Sequence, residues 1–283
     1  MKVANNWKDY EVLATGNGEK LERWGKVYLL RPDPQVIWEP SMDMKKFPKL
    51  NAHYIRESTG GGKWQVLKKF PESWVISYKN LKFKIKPMGF KHTGLFPEQA
   101  VNWDRMIDLV KNSNRNINAL NLFAYTGGAT VALASAGASV THVDASKGMV
   151  ERAKENMALS RLSDKPIRYI VDDCFKFVQR EIRRGKKYDA IILDPPSYGR
   201  GPNGEMWKLE NNLFDFLKEC KKVLSDNPLF VLLNSYTTGL QASVLKNLLQ
   251  LAFNAKNIDA DEIGLPTKES IVLPCGASGL LIF

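Results

Sequence analysis

The sequence lacks the features that mark membrane, secreted and repeat proteins. None of its apolar runs approaches about 18 residues, the length that a membrane-spanning helix requires. Its first ten residues are polar and charged, unlike a secretory signal peptide. It also contains no internal repeat and no low-complexity tract. We therefore expect a globular, cytoplasmic protein that does not associate with a membrane.

Cysteine is scarce as well. The three cysteines, Cys174, Cys220 and Cys275, lie far apart, and none belongs to a Cys-x-x-Cys pair or has a histidine at ligand spacing. We therefore expect neither disulfide bonds nor a bound metal. The sequence carries no prediction of oligomeric state.

Two common nucleotide-binding motifs are also missing. The triple-glycine loop Gly60–Gly62 lacks the lysine and the Ser or Thr that complete a phosphate loop. The adjacent pair Gly127–Gly128 lacks the Gly-x-Gly-x-x-Gly spacing of a dinucleotide-binding turn. The glycines alone therefore indicate neither a nucleoside triphosphate site nor a dinucleotide site.

What the sequence does contain predicts a two-part organisation. Its 283 residues, of which 44% are hydrophobic, suffice for one sizeable α/β domain and a smaller appendage. Residues up to about Pro87 show short alternating stretches rather than helical periodicity, so we expect a small basic β-rich domain over 1–87. We expect the larger domain over residues 88–283.

The positive charge is concentrated in the first part of the chain. Up to Lys91 there are 18 Lys and Arg against 9 Asp and Glu, whereas the remainder has 23 against 21. A basic appendage of this kind is typical of proteins that bind a polyanion, because neutralised phosphates release counterions. The alternative is a basic surface without a specific partner.

A predicted hairpin places part of this charge on one face. Trp74–Tyr78 and Leu81–Pro87 form two strands joined by a turn at Lys79–Asn80. The second strand alternates apolar residues with Lys82, Lys84 and Lys86, which puts the lysines on one side. This side either contacts RNA or is an ordinary solvated face.

From residue 119 onward, short apolar runs alternate with helical segments, the pattern of a parallel sheet covered by helices. The predicted strands are Ala119–Ala124, Val140–Asp144, Ile167–Val171, Tyr188–Asp194, Leu229–Ser235, Ile258–Gly264 and Gly279–Phe283. The predicted helices are Ala129–Ala136, Lys147–Ser160, Phe175–Arg184, Leu209–Leu224 and Gln241–Phe253. The last two strands are joined by a loop too short for a crossover helix, which predicts an antiparallel pair.

Acidic and glycine residues follow several of these strands. The segment Asn121–Gly128 runs from a strand through a glycine turn into a helix, where free N–H groups can meet a ligand. Asp144, about 20 residues later, can accept hydrogen bonds from ribose hydroxyls or can cap the next helix. Asp173 and Cys174 follow the third strand, where an adenine would lie, and Asp173 can equally be a helix cap.

The most specific motif is Asp194-Pro195-Pro196-Ser197-Tyr198, directly after the apolar strand that ends at Leu193. Two prolines at this place end the strand pairing and hold the backbone rigid, with carbonyls directed into the cleft. A dehydrogenase does not need this motif. Together with the glycine turn and the acids at 144 and 173, it indicates a different cofactor.

In this order of motifs the sequence resembles the class I methyltransferases that use S-adenosyl-L-methionine, and among them the bacterial large-subunit ribosomal RNA methyltransferases. The resemblance covers residues 85–283 and includes Phe90–Gln99 and Leu273–Ser278. It implies a Rossmann-like, seven-stranded α/β sheet with an antiparallel last strand, beside the small N-terminal β-rich domain. It also implies an RNA substrate, namely rRNA, with S-adenosyl-L-methionine as the cofactor.

The resemblance further implies a set of site residues. Phe96 and Gln99 would lie over the methionine end of the cofactor, and Ser146 is an additional cofactor contact. The other implied cofactor contacts are Phe123, Tyr125 and Gly127 at the methionine and sulfonium, Asp144 at the ribose, Asp173 and Cys174 at the adenine, and Asp194 beside the transferable methyl group.

The target chemistry also follows from the Asp194–Tyr198 motif. The Asp194 side chain and the Pro195 carbonyl can accept hydrogen bonds from a base nitrogen, while Tyr198 can stack on that base or pack on its own domain. Methylation at carbon 5 of cytosine needs a cysteine nucleophile, and Asn234–Thr237 has none where the cytosine branch of the family carries it. We therefore expect a nitrogen target.

Three alternatives stay open at this point. A small-molecule or protein methyltransferase can use the same fold, since the fold does not determine the substrate. A cytosine-C5 enzyme could use one of the other cysteines. A module that binds the cofactor without catalysis is the third alternative.

Overall fold

A computed structural model describes residues 1–57, 61–200 and 206–283, which form two compact units. The sheet unit comprises Met1–Lys2, Val101–Ile263 and Cys275–Phe283, and the N-terminal unit comprises Val3–Ala100 and Gly264–Pro274. These units differ from a division into residues 1–87 and 88–283, and that division remains a prediction. Gly60 of the predicted triple-glycine loop lies outside the described residues.

The chain forms strands and helices over the following ranges. The strands are β1 (Lys2–Val3), β2 (Tyr10–Gly16), β3 (Glu19–Trp24), β4 (Val27–Pro32), β5 (Ala52–Arg56), β6 (Gly62–Val66), β7 (Trp74–Tyr78), β8 (Leu81–Ile85), β9 (Asn118–Leu122), β10 (Ser139–Asp144), β11 (Ile167–Val171), β12 (Ala190–Leu193), β13 (Tyr198–Arg200), β14 (Met206–Lys208), β15 (Phe230–Ser235), β16 (Ile258–Pro266) and β17 (Val272–Ile282). The helices are α1 (Ala100–Asn112), α2 (Gly128–Ser135), α3 (Lys147–Leu159), α4 (Cys174–Arg183), α5 (Leu209–Lys222) and α6 (Ala242–Phe253).

The large sheet has the strand order β1-β16-β17-β15-β12-β9-β10-β11. Strands β9, β10, β11, β12 and β15 pair in parallel, whereas β17 is antiparallel to β15. This arrangement confirms the predicted seven strands and the antiparallel end of the sheet. The two-residue strand β1 adds an eighth member at the edge.

The order of the strands also locates a ligand cleft. The chain moves outward from β9 to β10 and β11, then returns to the other side of β9 for β12 and β15. The sheet therefore changes direction between β9 and β12, and ligands of open α/β sheets bind at the carboxyl ends of the strands beside such a point. All residues of β12 and β15 are buried, as expected for parallel strands covered on both faces.

The N-terminal unit is built from β-structure. Strands β2 to β6 form a five-stranded sheet in chain order, and β7 and β8 form a separate hairpin. In β8 the residues Leu81, Phe83 and Ile85 are buried, while Lys82 is exposed and Lys84 half-buried, so the predicted alternation is confirmed. The turn residue Lys79 has a φ of 51°, a left-handed conformation that closes the hairpin.

Helix α1 and the hairpin of β13 and β14 are not among the predicted elements. Helix α1 precedes β9 and buries Trp103 and Met106, although its sequence is polar on average. The hairpin of β13 and β14 pairs Tyr198 with Lys208 directly after the Asp-Pro-Pro motif. Within the described residues no helix is long and apolar enough to cross a bilayer, and no group of three or more His, Cys, Asp or Glu side chains could hold a metal ion.

Candidate cofactor and target site

The glycine turn after β9 is strongly bent. Phe123, Tyr125 and Gly127 all have positive φ, at 55°, 49° and 81°. The Gly127 N–H donates to the Ala124 carbonyl at 2.9 Å, and α2 begins at the next residue. A Cβ on Gly127 would lie only 2.8 Å from the Cβ of Ala153, so this position requires glycine for space as well as for conformation.

Asp144 ends β10 beside this turn. Its Oδ2 accepts the Tyr125 N–H and its Oδ1 accepts the Ser146 N–H, each at 2.8 Å. Burial raises the pKa of the carboxyl, although the two N–H donors oppose that shift. The cap position of α3 belongs to Ser146, whose side chain makes no cap bond, so Asp144 does not cap this helix.

Asp173 is the N-cap of α4, since its Oδ1 accepts the Lys176 N–H at 2.9 Å. The capping alternative for this residue is therefore confirmed. The cap fixes the carboxyl at the end of β11, one strand beyond Asp144 in the sheet. An adenine contact remains a prediction that this position supports.

Cys174 lies beneath the glycine turn. Its Sγ accepts the Phe123 N–H at 3.2 Å and lies 3.9 Å from the Val143 carbonyl oxygen. Burial raises the pKa of the thiol well above its ordinary value. The side chain therefore braces the turn as a neutral thiol, and only its main chain is suited to meet a ring nitrogen.

The Asp-Pro-Pro motif follows β12 at the same edge of the sheet. The Asp194 N–H donates to the Leu122 carbonyl at 3.4 Å, which ties the motif to the end of β9. Asp194 is half-buried and Pro195 buried, whereas Tyr198 is 49% exposed and donates its hydroxyl to Met206 Sδ at 3.3 Å. The acid and the exposed ring thus flank the prolines at the cleft.

A buried polar group supports the floor of the site. Asn121 Nδ2 donates to Thr130 Oγ1, which lies 2.9 Å from His142 Nδ1. Burial lowers the pKa of His142 to about 4, so this histidine is neutral at physiological pH. The network connects β9, β10 and α2 next to the turn, so His142 has a structural role.

A second hydrogen-bond network lies at the end of β15, where the cytosine-C5 branch of the family would carry its cysteine. Asn102 Nδ2 donates to Asn234 Oδ1 at 3.0 Å, and Ser278 Oγ donates to Asn102 Oδ1 at 3.1 Å. All three residues are buried. This network includes Asn102 of helix α1, which is not among the predicted helices, and it holds the strand end beside the Asp-Pro-Pro motif.

Phe96 and Gln99 belong to the N-terminal unit. Phe96 precedes a short 3₁₀ turn over Pro97–Gln99, its ring lies 5.9 Å from that of His92, and Gln99 is buried. Burial lowers the pKa of His92. A contact of Phe96 and Gln99 with the methionine end of the cofactor remains a prediction.

The sheet unit thus gathers Phe123, Tyr125, Gly127, Asp144, Ser146, Asp173, Cys174, Asp194, Pro195 and Tyr198 at the carboxyl edge of β9 to β12. The residues fit a nucleoside cofactor, since Asp144 presents an oriented carboxylate to hydroxyl groups and the glycine turn lets the backbone approach closely. Aromatic residues that sequence analysis did not single out, Trp207 and Phe216, pack against Phe123.

Comparisons with known proteins identify the class. A family model described as S-adenosylmethionine-dependent methyltransferase matches residues 49–209, more than half of the chain. A crystal structure of the S-adenosylmethionine-dependent methyltransferase from Agrobacterium tumefaciens has a TM-score of 0.91 and 34% identity, covering 98% of this chain and 91% of that one. A methyltransferase structure from Streptococcus mutans, with a TM-score of 0.75 and 18% identity, shares the fold.

Curated relatives carry a more specific name. The ribosomal RNA large subunit methyltransferase K/L of Shewanella sp. strain MR-4 is 31% identical over 214 residues, which are 75% of this chain and 29% of the relative. The protein of that name from Shewanella frigidimarina is 36% identical over 148 residues, 52% of this chain and 20% of the relative. The chain therefore spans less than a third of the length of these relatives.

The chain belongs to the S-adenosylmethionine-dependent methyltransferase family. The predicted enzyme class and cofactor are thereby confirmed. The assignment of individual site residues remains a prediction, and its first test concerns Asp144.

Replacing Asp144 by alanine should weaken binding of S-adenosylhomocysteine by about ten- to a hundredfold, because hydrogen bonds to a charged group contribute about 1.5–3 kcal/mol. Isothermal calorimetry measures the change, with Asp164→Ala on an exposed loop as the control. The predicted ribose contact requires the ionised carboxylate, whose pKa is raised by burial, so wild-type affinity should also fall on acidification. Unchanged affinity in Asp144→Ala would exclude the ribose role.

Proposed function

We propose that the chain methylates a base nitrogen of ribosomal RNA, with the Asp194–Tyr198 motif positioning the target. The observation that supports ribosomal RNA as the substrate is the 31% identity over 214 residues to an enzyme named ribosomal RNA large subunit methyltransferase K/L. An RNA substrate also agrees with the charge of the N-terminal unit, where 18 Lys and Arg stand against 11 Asp and Glu. Such a substrate implies a cytoplasmic enzyme.

The cysteines support nitrogen over carbon as the target. A C5 mechanism needs a thiolate that can attack the pyrimidine ring. Cys174 and Cys220 are buried, and burial raises the pKa of both thiols, while Cys275 is also buried in the last strand. The strand end at Asn234 is occupied by an amide network rather than a nucleophile. A nitrogen lone pair needs no such activation.

S-adenosyl-L-methionine supplies an electrophilic methyl group on a sulfonium, so the protein mainly has to align the nucleophile and exclude water. The Pro196 carbonyl already accepts the Trp207 indole N–H at 2.7 Å. We therefore assign target contacts to the Asp194 carboxylate and the Pro195 carbonyl, which accept hydrogen bonds from the base. The half-exposed Tyr198 ring stacks on that base.

Product analysis tests the proposal directly. Ribosomal RNA from a strain that lacks the gene should accept labelled methyl groups from the cofactor, and digestion to nucleosides should yield a methylated purine. A heat-inactivated sample is the control. The appearance of 5-methylcytidine would contradict the nitrogen target, and absence of any label in RNA or ribosomal subunits would contradict the substrate.

The lysine face of β8 gives a second test. Changing Lys82, Lys84 and Lys86 to glutamine should weaken RNA binding and flatten its salt dependence by about 0.7–0.9 in log-log slope for each lost phosphate contact. Affinity for S-adenosylhomocysteine should stay constant, because Lys82 and Lys84 in β8 and Lys86 directly after it belong to the N-terminal unit and not to the sheet unit. Filter binding at several salt concentrations measures the slope.

A matched variant controls for the change in charge. It replaces three lysines of the sheet unit that pair with acidic neighbours, namely Lys165, Lys218 and Lys222. Both triple variants lose three positive charges. If their salt slopes are equal, the β8 face has no special part in RNA binding, whereas turnover that is insensitive to salt would argue for a small-molecule substrate.

A further inference from the structure

Trp207 contacts both the glycine turn after β9 and the Asp194–Tyr198 loop, although it belongs to neither segment. It lies in β14, whose partner strand β13 continues directly from the Asp-Pro-Pro motif, and it pairs with Gly199. We propose that Trp207 is a positioning residue that couples the glycine turn holding the cofactor to the loop holding the target. This inference rests on the proposed role of the Asp194–Tyr198 loop.

On one side Trp207 holds the target loop. Its indole Nε1–H donates to the Pro196 carbonyl at 2.7 Å. The two prolines have no N–H group, so their segment cannot be fixed by main-chain donors of its own. The next anchors are the Ser197 carbonyl, which accepts the Leu209 N–H at 3.1 Å, and the Ser197 hydroxyl, 2.5 Å from Thr237 Oγ1.

On the other side Trp207 packs against the cofactor turn. Its ring centroid lies 5.4 Å from that of Phe123 and 5.8 Å from that of Phe216, and the two phenylalanine rings lie 5.9 Å apart. Phe123 is the first left-handed residue of the turn and is fixed through its N–H to Cys174 Sγ. The three rings therefore form a continuous contact from the turn to the indole.

These contacts have a thermodynamic consequence. A ligand that orders the turn restricts Phe123, and through the ring contact it restricts the indole that holds Pro196. Coupling of this kind is reciprocal, so cofactor binding should order the target loop and target binding should strengthen cofactor binding. A tryptophan that merely filled space would contribute to stability without connecting the two ligands.

Hydrogen exchange with S-adenosylhomocysteine as the probe tests the coupling without any RNA. In the wild type the probe should slow exchange in peptides that contain the turn and, by about fivefold or more, in those that contain Ser197–Gly199. In Trp207→Phe, which keeps a ring but lacks the donor, protection of the turn should persist while that of the loop is lost. Phe123→Leu, which breaks the contact from the other side, should also lose the protection of the loop.

Kinetics provide the second readout. Trp207→Phe should lower kcat by about two- to tenfold, the value of one hydrogen bond, while its dissociation constant for S-adenosylhomocysteine stays within about twofold. The control is Trp64→Phe, which equally removes an indole donor to a main-chain carbonyl, that of Met88 at 2.8 Å, and leaves kcat unchanged. Equal loop protection in wild type and Trp207→Phe would overturn the coupling. If that protection differs as expected but RNA is not methylated, only the proposed substrate is wrong.

Discussion

Asp194→Ala should lower kcat for methyl transfer by about 100- to 1000-fold, the usual loss when an acid or an electrostatic contact to the reacting group is removed. The dissociation constant of S-adenosylhomocysteine should change by less than about threefold. The difference arises because this ligand lacks the transferable methyl group, and Asp194 is assigned to the space around that group and the target nitrogen.

The position of Asp194 supports this expectation. It follows the last residue of β12, the central strand whose neighbours are β9 and β15, and its N–H reaches the end of β9. The two prolines after it restrict the backbone, so the carboxylate cannot easily relocate. Alignment errors of about 1 Å in such a site cost roughly a hundredfold in rate.

Single-turnover kinetics with saturating cofactor and RNA measure the effect. Asp194→Asn keeps one acceptor oxygen and should retain more activity than the alanine variant. The matched control is Asp189→Asn, just before the opposite end of β12, where the carboxylate pairs with Arg115 and accepts the Asn118 N–H. If kcat of Asp194→Ala stayed within about threefold of the wild-type value, Asp194 would have no catalytic role in methyl transfer.

Much of the sheet unit can be predicted because its strands are short apolar runs that end in polar or proline residues. Strand β11 has the predicted bounds, Ile167–Val171, and helix α3 begins at the predicted Lys147. Central strands covered on both faces, such as β12 and β15, are mostly apolar, and the carboxyl ends of parallel strands carry the polar ligand contacts. The same rule directs attention to Asp144 and Asp194.

Residues that act through long-range packing are harder to predict. Trp207 reaches Phe123 across more than 80 positions of sequence, and Asn102 reaches Asn234 across 132. No local period marks either pair. Helix α1 is not among the predicted helices either, although Trp103, Met106 and Val110 recur at helical spacing and are buried, so its apolar period was a signal that could have identified it.

The roles of Asp144, which ends β10, and Asp173, which follows β11, could not be distinguished from the local sequence. An aspartate that follows a strand and precedes a helix can either cap the helix or face a ligand. The structure shows that Asp173 caps α4 whereas Asp144 bonds the glycine turn. The difference depends on the left-handed backbone of Tyr125, which places its N–H within hydrogen-bond distance of Asp144. A tyrosine at this position does not predict a left-handed conformation.

Breaking the buried ion pair between Glu22 and Arg31 in the N-terminal unit should strongly lower the free energy of unfolding. Glu22 is fully buried and accepts Arg31 Nε and Nη2 at 2.5 and 2.7 Å and the Tyr10 hydroxyl at 2.7 Å. Burial opposes the ionisation of Glu22, but Arg31 and Lys20 outweigh it and lower the pKa to about 2. Arg31 also lies 5.2 Å above the Trp24 ring.

Glu22→Gln should therefore reduce the free energy of unfolding by about 3–5 kcal/mol, because it leaves the Arg31 charge buried without its partner. Urea titration followed by tryptophan fluorescence measures the loss, since five of the seven tryptophans lie in the N-terminal unit. Asp215→Asn, which removes an exposed pair with Lys218, is the control and should cost less than about 1 kcal/mol. Equal losses in both variants would contradict the prediction.

The pH dependence of the same pair provides an independent check. The folded chain holds Glu22 ionised more strongly than the unfolded chain does, because the pKa falls from 4.5 to about 2 on folding. Its contribution is thus present above pH 4.5 and is lost as the pH falls toward 2. The stability difference between wild type and Glu22→Gln should shrink across that interval, whereas the difference between wild type and a Leu29→Ala core variant should remain nearly constant, because a buried leucine carries no proton.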